Sequence, residues 1–63
     1  MKPFNGVILT AENGEPILIL ESQRYSRRVL KRMIKADFNY YNNRESYGAV
    51  KLKCYTTKGE IND

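Results

Sequence analysis

Six cations and no anion stand between Arg24 and Lys35: Arg24, Arg27, Arg28, Lys31, Arg32 and Lys35. Guanidinium forks grip phosphate oxygens in pairs, lysine ammoniums act as point charges, and arginine also reads guanine edges. Wound as an α-helix, the six fall within an arc of about 140°. Tyr25, Val29, Leu30, Met33, Ile34 and Ala36 fill the rest of the cylinder. The chain carries eleven Lys+Arg and seven Asp+Glu, a net +4, so residues outside this segment sum to −2. The positive field is therefore local, which is the electrostatic footprint of a polyanion site. Every i,i+4 pairing on the cationic arc is repulsive: Arg24–Arg28, Arg27–Lys31, Arg28–Arg32 and Lys31–Lys35. Each such pair costs about 0.2–0.5 kcal/mol, whereas an ordinary solvated helix face mixes its signs. The pattern predicts an anionic partner, with Arg24, Arg27 and Arg28 in the first turns, where a groove-inserted helix reads bases.

A second, weaker set lies near the C-terminus. Lys51, Lys53 and Tyr55 share one face of an alternating segment, where the lysines extend the basic surface and Tyr55 offers a ring for base stacking. The other tyrosines read as packing residues, with Tyr25 at the border of the apolar arc and Tyr40 and Tyr41 closing the helix on the sheet. Catalytic chemistry finds little to work with. The chain has no histidine, which removes the usual general base and any Ser-His arrangement. Cys54 falls on the inward side of its strand and reads as an inert core thiol. Glu12 and Glu15 sit on a solvated turn, and glycines 6, 14, 48 and 59 make no phosphate-loop spacing. One cysteine without histidine makes no zinc site. The expectation is a non-enzymatic protein with no metal and no cofactor.

The elements that must carry these residues follow from periodicity. Val7–Thr10 and Ile17–Leu20 are β-prone runs flanking Asn13-Gly14, the strongest short hairpin signal. A type I′ turn centred there pairs Leu9 with Leu18, Ile8 with Ile19 and Val7 with Leu20. It also sets Glu12 against Glu15, a like-charge conflict that favours a wider tip. Ser22 is a predicted N-cap for a helix from Gln23 to Phe38 or Tyr41, and Asn42-Asn43 is its stop, because asparagine tolerates the left-handed conformation. From Gly48 the sequence alternates, with Val50, Leu52 and Cys54 on one side and Ala49, Lys51, Lys53 and Tyr55 on the other. The predicted fold is a small single α+β domain over 1–63, ordered β-β-α-β, with one amphipathic basic helix on a three-stranded, mainly antiparallel sheet. Residues 1–5 and 57–63 are expected to fray. The third strand can lie beside the first or, through a right-handed crossover, beside the second.

Both faces of the predicted hairpin are apolar, yet a single helix covers only one. Ile8, Ile17 and Ile19 on the bare face predict a cover, either a local one from Phe4, the loop tyrosines or the C-terminal tail, or a second copy of the chain, giving a homodimer. The longest apolar run, Ile17–Leu20, is far short of the ~18 residues that span a bilayer. The first residues lack an apolar stretch of signal-peptide length. A lone cysteine suits a reducing compartment, so the expected location is cytoplasmic. Size, the missing catalytic set and the basic patch suit a small accessory or regulatory protein of the kind phages and mobile elements carry. The expected function is nucleic-acid binding, DNA or RNA, through phosphate contacts of the cationic face. The alternative is a protein–protein adaptor or inhibitor that docks on an acidic or apolar surface of a larger protein.

Overall fold

Residues 3–57 are described by the computed structural model. Four elements follow in the order β1 (Asn5–Thr10), β2 (Pro16–Ser22), α1 (Arg27–Tyr41) and β3 (Lys51–Thr56). The sheet order is β2-β1-β3 and both pairings are antiparallel, so the third strand lies beside the first and no parallel crossover is needed. The helix lies across one face of this sheet. Val7 and Leu9 of the central strand, Leu30 and Ile34 of the helix, and Val50 form the buried cluster.

The hairpin pairs Val7 with Leu20, Ile8 with Ile19 and Leu9 with Leu18, the register set by the apolar alternation. Beyond Leu9 it departs from expectation. Thr10 pairs with Pro16, which leaves Ile17 as an extra residue in a bulge. The tip is a three-residue loop rather than a type I′ turn. The Gly14 amide donates to Ala11 O at 2.8 Å, the Ala11 amide to Glu15 O at 2.8 Å, and Gly14 takes the left-handed conformation at φ 95°. A single positive φ at glycine is what such a loop requires, whereas a type I′ turn needs two. Opening the tip separates Glu12 from Glu15 and frees Glu12 to hold the distant 42–50 loop. Its amide donates to Tyr47 O at 2.9 Å, and its Oε1 accepts from the Ala49 amide at 3.1 Å.

The bulge also changes the bare sheet face. Ile17 turns to pack against the buried cluster, and Ile8 in the central strand is half-buried. Only Ile19 of the three isoleucines is exposed, at 52%. The expectation of an uncovered three-isoleucine face is corrected accordingly.

The helix begins four residues later than the sequence suggests. Ser22 ends β2, and its Oγ accepts from the Arg24 amide at 2.9 Å and the Tyr25 amide at 3.3 Å, forming a turn. Ser26 is the true cap, with extended φ/ψ of −74° and 166° and an Oγ that accepts from the Val29 amide at 3.2 Å. Residues 23–26 are needed as a connector, because the chain must climb from an edge strand onto the sheet before it can wind. Asn5 pins that connector, its Nδ2 donating to Tyr25 O at 3.1 Å and its Oδ1 accepting from Thr56 Oγ1 at 3.0 Å. Tyr25 is consequently exposed rather than core.

At the other end the Asn42 amide donates to Phe38 O, and Asn43 takes φ 64°, the left-handed stop expected of an asparagine pair. Asn42 Oδ1 then accepts from the Val50 amide at 3.0 Å, so β3 starts at Lys51 rather than near Gly48. Tyr41 is half-buried against the core and meets Tyr47 edge-on at 5.2 Å, while Tyr40 stays exposed beneath the Arg44 guanidinium. Of the ends expected to fray, 1–2 and 58–63 lie outside the described residues. The remainder is held: Asn5 is already in β1, and the Thr57 amide donates to Phe4 O at 2.8 Å.

Candidate functional site

The late helix start redistributes the cations. Arg27, Arg28, Lys31, Arg32 and Lys35 remain on α1, and Arg24 moves into the connector. Five cations against Asp37 give the helix a net +4, equal to that of the whole chain. Asp37 has Met33, Ile34, Tyr40 and Tyr41 at helical spacing, none of them a cation, so it relieves none of the repulsion. No acidic residue stands in the first turn, where Arg27 and Arg28 oppose the helix macrodipole. Two independent terms, side-chain repulsion and dipole, thus disfavour this arrangement in the isolated protein.

Counting 100° per residue from the buried pair Leu30 and Ile34, all five cations lie on one flank of the helix, an arc of about 140°. That flank overhangs β3. Together with Phe38, Leu52 and Cys54 the five cations line an open groove of about 830 Å³. The groove has a basic wall and an apolar floor. Leu52 pairs with Leu9 and Cys54 with Val7, so both point into the layer beneath the helix. Because the helix packs chiefly over the central strand, Cys54 is left uncovered and exposed, contrary to its expected place in the core. The alternation in sequence puts Leu52 and Cys54 on the right face but does not join them to the basic site. The lateral offset of a helix on its sheet is set by packing, and no single residue announces it.

The second basic set does not join the first. Lys51, Lys53 and Tyr55 pair with Thr10, Ile8 and Gly6, and their side chains occupy the sheet face away from the helix. Tyr55 is also engaged. Its ring lies over Gly6, where a Cβ would overlap the ring, and its hydroxyl donates to Glu21 Oε2 at 2.5 Å. The three strands are thereby tied across the outer face at Glu21, Gly6 and Tyr55. Gly6→Val is expected to expel the ring and break this tie, read as loss of the nuclear Overhauser contacts between Tyr55 and β1 with the helix signals retained.

The hydrogen bond to Glu21, then burial, then the Glu21 charge raise the Tyr55 phenol from its ordinary value to about 12. The folded chain therefore holds this proton where the unfolded chain has lost it. The associated stability is complete below pH ~10 and is lost as pH rises through about 12. In a phenolate absorbance titration a late-ionising step near pH 12 should appear, and Tyr55→Phe should delete it.

Among the described residues no three His, Cys, Asp or Glu side chains are grouped to hold a metal, and no helix is long and apolar enough to cross a membrane. No family model, curated protein or solved structure matches the chain.

Proposed function

We propose that this protein is a small, non-catalytic nucleic-acid-binding regulator whose α1 flank contacts phosphates. The supporting observation is the gathering of Arg27, Arg28, Lys31, Arg32 and Lys35 along one groove wall, against both the helix dipole and their mutual repulsion. A bound polyanion offsets both terms, because it attracts the cations and is itself favoured at the helix N-terminus. The phosphate-contacting set in this reading is those five, with Arg24 near the helix entry as an outlying contact. Lys51, Lys53 and Tyr55 on the far sheet face are left out of it.

The test is a fluorescence titration against duplex DNA, single-stranded DNA and RNA at several salt concentrations. Five phosphate contacts predict a log–log salt slope of about −4.5 on duplex DNA and about −3.5 on a single strand. Binding with such a slope supports the reading and identifies the preferred strand form. Absence of binding at low salt rejects it and redirects the basic groove to an acidic protein surface.

A further inference from the structure

We infer that the groove between α1 and β3 takes single-stranded nucleic acid, with phosphates on the α1 wall and a base stacked on Phe38; this rests on the nucleic-acid reading and specifies its substrate. Wall and floor differ in chemistry. Arg27, Arg28, Lys31, Arg32 and Lys35 supply the wall, and Phe38, Leu52 and Cys54 supply the rest of the lining. A ligand that matches both must carry a row of anions along one side and apolar faces along the other. A single strand is such a ligand. Its phosphates track a basic surface, and its bases, each with a π-face, are free to turn onto an aromatic ring.

Helical geometry sets Phe38 where such a base would lie. At 100° per residue it falls about 20° from Arg27 and about 20° from Lys31, so it continues their line towards the C-terminal end of α1. From Arg27 to Lys35 the helix rises about 12 Å, which matches about three or four phosphates of a stacked strand. Leu52 and Cys54, two positions apart in β3, extend the apolar floor by about 7 Å alongside. Phe38 is half-buried, packed against the core cluster on one side and lining the groove on the other. A ring already held in place loses little freedom when a base settles on it. Among the described residues it has no ring partner, whereas Tyr41 meets both Tyr40 and Tyr47 edge-on. Tyr55, the ring that the sequence suggests for stacking, lies over Gly6 on the far sheet face and bonds Glu21. Phe38 is therefore the aromatic side chain that shares the groove with the five cations.

A duplex matches only half of this surface. It can lay phosphates on the wall, but its bases are paired and stacked inside. Phe38, Leu52 and Cys54 then gain no partner, and they strip water from a charged backbone. Reading base edges within a duplex needs hydrogen-bonding side chains, and a phenyl ring, an aliphatic chain and a thiol are poor ones. The same floor predicts weak sequence preference, because stacking accepts every base. Electrostatics alone favours the duplex, whose higher charge density releases more counterions per contact. A preference for the single strand therefore has to come from the floor.

The experiment is a fluorescence anisotropy titration at physiological salt with three labelled probes: oligothymidylate, an abasic strand with the same number of phosphates, and a duplex of the same length. Wild type, Phe38→Leu and Phe38→Tyr are compared, with circular dichroism to check the fold of each. The wild type is expected to bind oligothymidylate about tenfold or more tighter than the abasic strand. Phe38→Leu keeps an apolar side chain on the core and should lose that ratio while holding its abasic affinity. Phe38→Tyr keeps the ring and should keep the ratio. Equal affinity of the wild type for the two strands overturns the inference and leaves the phosphate reading standing. So does a duplex bound at least as tightly as oligothymidylate. If Phe38→Leu weakens both strands alike, Phe38 only supports the helix and the inference falls. No binding of any probe, even at low salt, rejects the phosphate reading itself and the inference with it.

Discussion

Arg27→Glu combined with Arg28→Glu is expected to abolish nucleic-acid binding and at the same time make the protein more stable. On the binding side, two of five groove cations are lost and two anions gained. Removing two contacts lowers the duplex salt slope by about 1.8, and the added repulsion takes the affinity down about a hundredfold or more. On the folding side every change has the opposite sign. The two introduced carboxylates stand four residues before Lys31 and Arg32, so two repulsive i,i+4 pairs become attractive in the favourable orientation, each a swing of about 0.4–1 kcal/mol. Two carboxylates in the first turn also align with the macrodipole, worth about 0.3–1 kcal/mol apiece at low salt. A net gain of about 1.4–4 kcal/mol at low salt should raise the melting temperature by about 10–30 °C, shrinking as salt screens these exposed charges. Unchanged stability with lost binding would leave the site reading intact but remove the strain that supports it. Unchanged affinity would reject the groove as the site. The pairing of the two measurements matters, because a variant that binds poorly for want of folding cannot also melt later.

The fold was largely legible because its dominant signals were local and periodic. Val7, Leu9, Leu18 and Leu20 alternate with period two, which sets the buried face, and the Asn13-Gly14 turn signal between the two runs gives the pairing of Val7 to Leu9 with Leu18 to Leu20. Lys51 to Tyr55 alternates in the same way, and only its neighbour in the sheet stayed open. What escaped the sequence is non-local. Ser22 and Ser26 are both chemically fit to cap a helix, and the choice between them depends on the distance the connector must cover, which includes the Asn5 side chain twenty residues away. The bulge at Ile17 goes with a tip whose Glu12 is bonded to the Tyr47 carbonyl and the Ala49 amide, a partnership invisible in a hairpin considered alone. Parity in β3 separated Lys51 and Lys53 from Leu52 and Cys54 correctly. Only the position of α1 over β1 determined that the helix cations face the second pair.

Leu30→Ala should unfold the protein rather than merely loosen it, and nucleic acid should bring it back. Among the described residues the buried cluster is Val7, Leu9, Leu30, Ile34 and Val50, and Leu30 is fully enclosed. A domain of 63 residues has a total stability of about 3–9 kcal/mol, and a buried Leu→Ala change removes about 2–5 of it. The melting temperature should therefore fall by tens of degrees, towards or below room temperature. The helix cannot survive on its own. At 15 residues it is near the length limit for helices in water, and its three remaining i,i+4 cation pairs oppose it further. The ordered row of groove cations thus exists only while Leu30 and Ile34 hold the helix on Val7 and Leu9. If the polyanion binds that ordered row and not the unfolded chain, oligonucleotide at a hundred times its dissociation constant restores about 2.7 kcal/mol, a gain comparable with the truncation. Circular dichroism of Leu30→Ala should then recover helix on titration with oligonucleotide, while the same variant carrying Arg27→Glu and Arg28→Glu should not. Recovery in both would mean that any polyanion folds the chain by charge neutralisation, without a defined groove.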